Sequence, residues 1–441
     1  MSKYLRGLIA RRKQGYVCGI ASFCTANALV IEACMEQAKR FDDYVLIEAT
    51  ANQVNQYGGY TGMRPQDFSN FVYALANKIA FPRDKIILGG DHLGPLTWQK
   101  ESVQSAMEKS AELVREFVAA GFQKIHLDTS MRVADDPLDA PLSTQTIARR
   151  GAELYKVCEE TYQQRLKTHP DESRPVFIIG SEVPIPGGAQ EAESSISVTK
   201  PEALEETLAA YQQEFKKQGL AQAFENIIGV VVQPGVEFGD GETFVYDRYK
   251  ARELIACAAK HTNITLEGHS TDYQPAKALR EMVENGIGIL KVGPALTFAL
   301  REGLYALSYM EKILIPEERH ANFIETLESA MVNEPKSWIS HYHGDGEELK
   351  VKRMFSYSDR CRYYFAQPKI VAAIQKLLEN LNTVEIPLGM LHQFMLFQYY
   401  KVRDGRLENK PEALVKDCVC SIVEDYNYAT KCGYEIANVK I

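Results

Sequence analysis

Long apolar runs and an excess of positive charge are both missing from this sequence of 441 residues. No uninterrupted apolar stretch reaches the roughly 20 residues that a membrane-spanning helix needs. Aspartate and glutamate (58) outnumber lysine and arginine (50), which gives a formal net charge of −8 with neutral histidine. Such a charge disfavours nucleic acids and anionic membranes as partners. We therefore expect no nucleic-acid partner and no membrane association.

Cysteines in metal-binding or disulfide-forming patterns are missing as well. The sequence has 9 cysteines, an odd number, and no two of them stand in a Cys-x-x-Cys spacing. This pattern indicates neither a disulfide framework nor a structural zinc site. The cytoplasm is therefore the expected compartment. The opening residues Met-Ser-Lys-Tyr-Leu-Arg lead into no apolar run, so we also expect no signal peptide.

What the sequence does contain is one repeated unit. A short apolar run rich in β-branched residues is followed by a stretch of helical periodicity, and this unit recurs eight times before about residue 300. The predicted strands are residues 19–24, 44–50, 85–92, 122–129, 175–184, 226–234, 263–270 and 286–293.

Eight such units favour an α/β fold with a closed parallel TIM (β/α)8 barrel, because both faces of a parallel sheet must be covered. An open doubly wound sheet is the competing fold. It would normally carry a Gly-x-Gly-x-x-Gly turn after the first strand, whereas residues 25–29 read Thr-Ala-Asn-Ala-Leu. We therefore expect the barrel.

From about residue 311 the strand signals stop and helical periodicity continues. We expect a barrel domain at 1–310 and a helical C-terminal region at 311–441 that packs on the barrel. Arg360 and Arg362, beside Tyr363, could cap the barrel mouth or bind phosphate. Ion pairing on a helix is the more ordinary interpretation of these arginines.

Polar residues gather where the predicted strands end, which is where the active site of a parallel barrel lies. They are Glu48, Asn52, Gln53, Asp91, His92, His126, Asp128, Glu182, Gln233, Glu267, His269 and Lys291. Side chains two apart share a face of a strand, so Glu267 and His269 can both point to the barrel axis.

A buried carboxylate costs several kcal/mol unless it is paired or bound to a cation. Several of them around one barrel mouth therefore predict a metal, a substrate or both. Imidazole and carboxylate ligands without thiolate suit Zn, Mn, Co, Ni or Fe. The alternatives are a hydrogen-bonded core histidine for His126, and ion pairing of Glu182 or Glu267 with Lys291. The loop at 55–63 is either a substrate loop or a plain turn.

The sequence closely resembles the family of GatZ/KbaZ-type subunits of tagatose-bisphosphate aldolase. The resemblance runs from the first strand to about residue 430, and it is carried by LIEATANQVNQYGGYTGM, ILGGDHLGP, KIHLDTSM, VVVQPGVEF, EGHSTDYQ and ILKVGPALTFALRE. Some family members are described as non-catalytic subunits that support a class II aldolase. Others have been labelled tagatose-6-phosphate kinases, and others are metal-dependent epimerases that interconvert fructose and tagatose at C4.

The kinase label finds no support, because the sequence has no Gly-x-x-x-x-Gly-Lys-[Ser/Thr] loop. The stretches SMRVADDP, QPGVEFGDGETFVYDRYKARELI and STDYQPAKALREMVENG are more similar to the epimerase members. The resemblance thus implies a metal-dependent ketohexose 4-epimerase that interconverts D-fructose and D-tagatose, free or phosphorylated, by retro-aldol chemistry between C3 and C4. The alternative is a non-catalytic accessory subunit of class II D-tagatose-1,6-bisphosphate aldolase.

Class II aldolases, which the family resembles distantly, carry an Asp-His pair at the end of a barrel strand. Carried over, Asp91 becomes an acid–base group and His92 a metal ligand, while His269 resembles a second zinc-binding histidine. The third ligand is Glu182 or Gln233, and we prefer Glu182.

The resemblance and the strand-end pattern together give a full set of expected site residues. They are Asp91, Asp128 and Glu267 for catalysis, His92, Glu182 and His269 for the metal, and Glu48, Asn52, His126, Gln233 and Lys291 for the substrate. The implied cofactor is a divalent ion, Zn, Mn, Ni or Co. The implied ligand is a ketose or ketose phosphate, and a class II aldolase subunit or a second copy of the chain remain open as partners.

Overall fold

Eight parallel strands close into a barrel, as predicted. The computed structural model describes residues 2–137, 141–181, 183 and 196–431. The strands are β1 (Ile20–Cys24), β2 (Val45–Thr50), β3 (Ile86–Leu93), β4 (Lys124–Leu127), β5 (Val176–Ile179), β6 (Ile227–Val232), β7 (Thr265–Gly268) and β8 (Ile287–Val292). Each strand pairs with the next in chain order, and β8 pairs with β1. The fold class is therefore the TIM (β/α)8 barrel.

Helices surround the barrel and continue beyond it. They are α1 (Ser2–Lys13), α2 (Ala28–Arg40), α3 (Pro65–Lys78), α4 (Val103–Ala119), α5 (Thr144–Arg165), α6 (Pro201–Lys217), α7 (Arg252–Ala258), α8 (Ala276–Glu284), α9 (Pro294–Leu314), α10 (Phe323–Asn333), α11 (Gly346–Phe355), α12 (Pro368–Asn382), α13 (Leu388–Phe394), α14 (Leu396–Arg403) and α15 (Pro411–Thr430). Asn27, Ser102 and Ser143 precede α2, α4 and α5, and their side chains accept backbone N–H bonds that fix where these helices begin. Of the helices that the structure describes, none has both the length and the apolar character needed to cross a membrane.

The strand alternation divides the apolar side chains into two layers. Ile47 on β2 and Leu127 on β4 belong to the large cluster between the strands and the surrounding helices. Leu46 on β2, by contrast, belongs to a smaller cluster inside the barrel. The N-terminal end of this interior is closed by α1, whose Leu5 and Leu8 are buried in the smaller cluster.

The C-terminal region packs back onto the barrel. The expected division at residue 311 falls inside α9, which runs from Pro294 to Leu314 without a break. Helix α15 packs against α2, α8 and α9, and so lies against helices from both ends of the barrel sequence. A 3-10 turn at Arg360–Tyr364 brings residues of this region to the barrel mouth, where Arg362 and Tyr363 line a cavity.

Candidate metal centre and substrate cavity

A cavity opens at the C-terminal ends of the strands. The strand ends contribute Asp91, His92, His269 and Lys291 to its wall. The wall continues above them with Arg362 and Tyr363 from the C-terminal region. These four predicted strand-end residues therefore meet at one place, and the C-terminal region covers it.

Lys291 on β8 links carboxylates from two other strands. Its Nζ lies 2.6 Å from Glu48 Oε2 on β2 and 2.8 Å from Asp91 Oδ1 on β3. Burial alone would lower the pKa of Lys291, but the negative charges of Asp91, Glu48 and Glu267 raise it well above its ordinary value. The ammonium group therefore stays charged and is not a free amine that could attack a carbonyl.

A second buried lysine, Lys124, lies beneath the first, and the sequence reasoning missed it. Its Nζ is 2.7 Å from Glu48 Oε1 and 2.8 Å from Glu267 Oε2, and all three side chains are 0% exposed. Burial would lower the pKa of Lys124, but Glu267 and Glu48 raise it. The signal was present in the sequence, because Lys124 is two residues before His126 and so shares its face of β4.

His126 lies against Asp91 in the barrel interior. Its Nδ1 is 2.8 Å from Asp91 Oδ1. Burial would raise the pKa of Asp91, but the charges of His92 and Lys291 and the contact with His126 hold it well below its ordinary range. No described residue makes a hydrogen bond to Nε2 of His126, although this atom is buried. The backbone N–H of His92 also donates to Nδ1 of His126, at 3.2 Å. All contacts that orient the ring are thus made by Nδ1, and the second ring nitrogen of a metal-binding histidine is commonly held in this way by a carboxylate or backbone partner.

His92 is held by a different carboxylate. Its Nδ1 is 2.7 Å from Asp128 Oδ2, while Asp128 Oδ1 accepts from the Ser130 hydroxyl at 2.6 Å. Burial would lower the pKa of His92, but Asp91 and the Asp128 hydrogen bond raise it. The pKa of Asp128 falls to about 2, because the hydrogen bond and charge of His92 outweigh the effect of burial. His92 also adopts a positive φ of 50°, an uncommon backbone conformation for a non-glycine residue.

Glu267 and His269 share one face at the end of β7, as the alternation predicts. His269 Nε2 lies 3.0 Å from Glu267 Oε1. Burial, together with the charge of Lys291, lowers the pKa of His269 to about 3 despite this contact. The imidazole is therefore neutral at physiological pH, which is the form that binds metals.

Four of these side chains could hold one cation. Asp91, His126, Glu267 and His269 each offer a ligand atom, and these atoms all lie within 4.8 Å of one another. Two imidazoles with two carboxylates suit a divalent transition metal or zinc.

The charge of the centre also favours a bound cation. Glu48, Asp91 and Glu267 contact the two lysine ammonium groups, and Asp128 contacts His92. Because the pKa of His92 is raised, its imidazolium counts with the two lysines, and the net charge is −4 + 3 = −1. A buried excess of negative charge favours an added cation.

The group differs in part from the predicted metal ligands. His269 belongs to it, whereas His92 is engaged by Asp128 and lies outside it. Glu182 lies outside the described residues. His126, predicted as a substrate-binding residue, is instead in the metal-binding group, as is Glu267. A second group, Cys24 with Glu48 and Asp91, is less suited, because burial raises the pKa of Cys24 and keeps it a thiol.

The remaining predicted residues are divided between the cavity and the loops. Asn52 lines the cavity, and so does Tyr60 from the loop at 55–63. The centre of the Tyr60 ring lies 4.7 Å from that of the Tyr363 ring. This loop is therefore part of the cavity wall. Gln233 is turned to its own loop, where its Oε1 accepts from the backbone of Gly235 at 2.8 Å, and it is not among the described residues that line the cavity.

This protein is a (β/α)8-barrel protein, with a charged, imidazole-rich centre at the C-terminal ends of its strands. Within that class, the chain belongs to the GatZ/KbaZ-like family of D-tagatose-1,6-bisphosphate aldolase subunits, whose model matches residues 5–431. The predicted family is therefore confirmed.

Named relatives cover almost the whole chain. The D-tagatose-1,6-bisphosphate aldolase subunit GatZ of Salmonella paratyphi B is 45% identical over 96% of this chain and 98% of its own length. The protein of the same name from Salmonella typhimurium is 44% identical over the same shares. A crystal structure from Sinorhizobium meliloti 1021, described as a probable tagatose 6 phosphate kinase, is 44% identical, covers 94% of this chain and 100% of that one, and has a TM-score of 0.85.

Proposed function

We propose that this chain is a D-tagatose-1,6-bisphosphate aldolase subunit that works with a separate class II aldolase chain. The names of the Salmonella relatives support this proposal at 44 to 45% identity. They favour it over the epimerase interpretation of the sequence, which is kept below as a second candidate. The kinase description of the Sinorhizobium structure is not carried over, because this sequence has no phosphate-binding loop of the kinase type.

We also propose that the barrel of this subunit binds a divalent ion, Zn, Mn, Ni or Co. The observation that carries this proposal is the group Asp91, His126, Glu267 and His269, with its ligand atoms within 4.8 Å of one another. A bound divalent ion would supply Lewis acidity for the carbonyl of a ketose in the cavity.

The residues around this group would fix its geometry. Lys124 and Lys291 hold Glu48 from both sides, and Lys291 also holds Asp91. Asp128 orients His92 at the cavity wall. Since both lysines stay charged between carboxylates, the site does not support a Schiff-base route to aldol chemistry.

The second candidate is the ketose 4-epimerase activity, and the position of Asp91 favours it. Asp91 lines the cavity, whereas Asp128 has one oxygen on His92 and the other on Ser130. Asp91 would take the proton of the C4 hydroxyl as the C3–C4 bond breaks, with the bonding electrons left on C3. The aldehyde half would then turn over, the bond would reform on its other face, and Asp91 would return the proton.

One assay separates the two candidates. The purified chain is incubated alone with D-fructose or D-tagatose, free and phosphorylated, with Mn, Ni, Co or Zn and then with EDTA. Turnover that EDTA abolishes supports the epimerase. Turnover that appears only when a class II aldolase chain is added supports the subunit role, and no turnover under either condition rejects both.

Two wider expectations stay proposals. The cytoplasm remains the proposed compartment, on the cysteine pattern of the sequence. The division into residues 1–310 and 311–441 is likewise proposed, as two parts of the chain that share the wall of one cavity.

A further inference from the structure

Arg362 is a cation in the cavity wall without a carboxylate partner. Its guanidinium donates to the backbone oxygen of Asp359 at 3.0 Å and to Tyr363 Oη at 3.0 Å. The carboxylate of Asp359 is itself bound by Arg301 at 2.9 Å. Over the described ranges, no Asp or Glu oxygen lies within 4.0 Å of a nitrogen of Arg362.

Arg360 adds a second unpaired cation beside the first. It is only 7% exposed, and its Nε donates to the Ser337 carbonyl at 2.6 Å. Its Nη1 is buried without a hydrogen-bond partner in the part of the chain that the structure describes. Both guanidinium groups lie over the Tyr363 ring, at 4.6 Å for Arg360 and 4.5 Å for Arg362. Arg360 is buried and Arg362 is half-buried. Two adjacent cations partly shielded from water, with no carboxylate in direct contact, favour the binding of an anion.

The neighbours of these arginines respond to the positive charge. Burial alone would raise the pKa of Tyr363, but Arg362 and Arg360 lower it below its ordinary value. Burial and the same two arginines lower the pKa of His341 to about 4. The mouth of the cavity is therefore electropositive on this side, opposite in sign to the carboxylate-rich centre below.

The usual phosphate site of a (β/α)8 barrel is already filled here by the protein itself. That site is formed by the loops after the seventh and eighth strands and by a helix N-terminus. In this chain Asp272 Oδ1 accepts from the backbone N–H groups of Gly293 at 3.0 Å and Ala295 at 2.8 Å, at the start of α9. A phosphate in this cavity must therefore find another donor.

We propose that Arg362, supported by Arg360, is the residue that binds a phosphate group of the substrate in this cavity. The planar guanidinium group suits bidentate binding of phosphate. The sugar would reach from Arg362 to the Asp91 and Lys291 side of the same cavity. This inference rests on the proposed function, because it names the phosphate-binding residue of that site.

The test is calorimetric titration of the full chain with inorganic phosphate in the presence of EDTA. We expect Arg362→Gln to weaken phosphate binding at least about 10-fold, equivalent to about 1.4 kcal/mol. Arg362→Lys keeps the positive charge but loses the planar guanidinium group that can bind phosphate through two nitrogens. We therefore expect a smaller loss of phosphate affinity in this variant. Arg406→Gln is the matched control, because Arg406 is exposed and paired only with Asp404 among the residues described. Melting temperatures identify any variant that does not fold.

Two further ligands distinguish a phosphate ester from a carboxylate as the natural anion. Glycerol 3-phosphate should bind more tightly than D-glycerate to the wild type, and Arg362→Gln should remove most of that difference. Tighter binding of D-glycerate would overturn the assignment to phosphate esters.

Three results overturn the proposal itself. They are a wild-type chain that binds no inorganic phosphate, a folded Arg362→Gln chain with wild-type phosphate affinity, and, if Arg362→Gln does not fold, a folded Arg362→Lys chain with wild-type affinity. None of these titrations requires metal or turnover. A chain that binds phosphate through Arg362 but gives no turnover of ketoses, either alone or with an added class II aldolase chain, would reject the proposed function alone.

Discussion

The two halves of the barrel interior use the same strands but opposite chemistry. Toward the N-terminal ends, Leu46, Ile178 and Ile289 form an apolar layer that α1 closes. Toward the C-terminal ends, the same strands carry charged side chains such as Glu48 and Lys291, at most 5% exposed. Leu46 and Glu48 are only two residues apart on β2, as are Ile289 and Lys291 on β8, so the change occurs within one step of the strand alternation.

This contrast indicates what each half contributes. Burying an aliphatic side chain stabilises the fold by about 1.5 to 3 kcal/mol and needs no specific partner. A buried ion pair contributes little net stability, while loss of one partner is strongly destabilising. The lower half therefore holds the barrel together, while the upper half contributes little net stability and fits the binding and chemistry proposed for it.

The largest expected effect is from removing a buried charge in the upper half. Lys124→Met should lower the free energy of unfolding by about 3 to 5 kcal/mol, because Glu48 and Glu267 lose a shared cation in the barrel interior. Urea denaturation measures the change. The matched control is Lys312→Met, whose exposed pair with Glu325 should contribute no more than about 1 kcal/mol. Equal losses of unfolding free energy for the two variants would mean that the buried charges of the upper half are no more sensitive to loss of a partner than an exposed ion pair.

Loss of a metal ligand should affect binding more than folding. His126→Ala is expected to weaken the affinity for Zn or Mn at least about 100-fold, since changing even the outer partners of metal ligands costs 10- to 100-fold. Calorimetric titration with each metal measures this. His343→Ala, at an exposed histidine, should retain the affinity. If His126→Ala also retains it, His126 is a core histidine with no metal-binding role.

The upper half should also respond to pH. Burial raises the pKa of Asp272 to about 6 from an ordinary 3.8, so the protonated form is favoured in the folded chain. Its stabilising effect is present below pH 4 and is lost as the pH rises through 6. Asp272→Asn keeps an oxygen for the two N–H groups but does not titrate. Its stability relative to wild type should therefore increase by about 2 to 3 kcal/mol between pH 4 and pH 7.

Urea denaturation of both proteins at the two pH values tests this expectation. Asp404→Asn, at an exposed aspartate, should show no comparable dependence on pH. A constant difference between Asp272→Asn and wild type from pH 4 to pH 7 would mean that Asp272 titrates normally.

The smallest expected effect belongs to the lower half. Ile289→Val removes one buried methylene group from the apolar layer and should cost about 0.5 to 1.5 kcal/mol in unfolding free energy. Metal and phosphate affinities should stay at wild-type values. A loss of either affinity in this variant would mean that the two halves are not independent.

The sequence predicted the fold well because its signals are local. Strand-length apolar runs and helical periodicity repeat along the chain, and each depends only on nearby residues. The predicted strand at 175–184 was too long, since β5 ends at Ile179. The packing of α15 against α2, α8 and α9 is a long-range contact that no local pattern encodes.

The sequence predicted that polar side chains gather at the strand ends, but it did not predict the contacts among them. The strand ends identified Asp91, Glu267 and His269, because carboxylates and imidazoles are rare among apolar strand residues. Which member of the Asp91–His92 pair joins the metal group depends on backbone geometry. The pairing of β3 with β4 shifts register after Gly90, and His92 has a positive φ, neither of which the sequence reveals.

Anomalous diffraction from a crystal grown with zinc or manganese tests the central interpretation most directly. We predict one anomalous peak in the barrel, about 2.0 to 2.2 Å from ligand atoms of Asp91, His126, Glu267 and His269 if the ion is zinc. A crystal saturated with metal that shows no peak among these four side chains would contradict the metal centre.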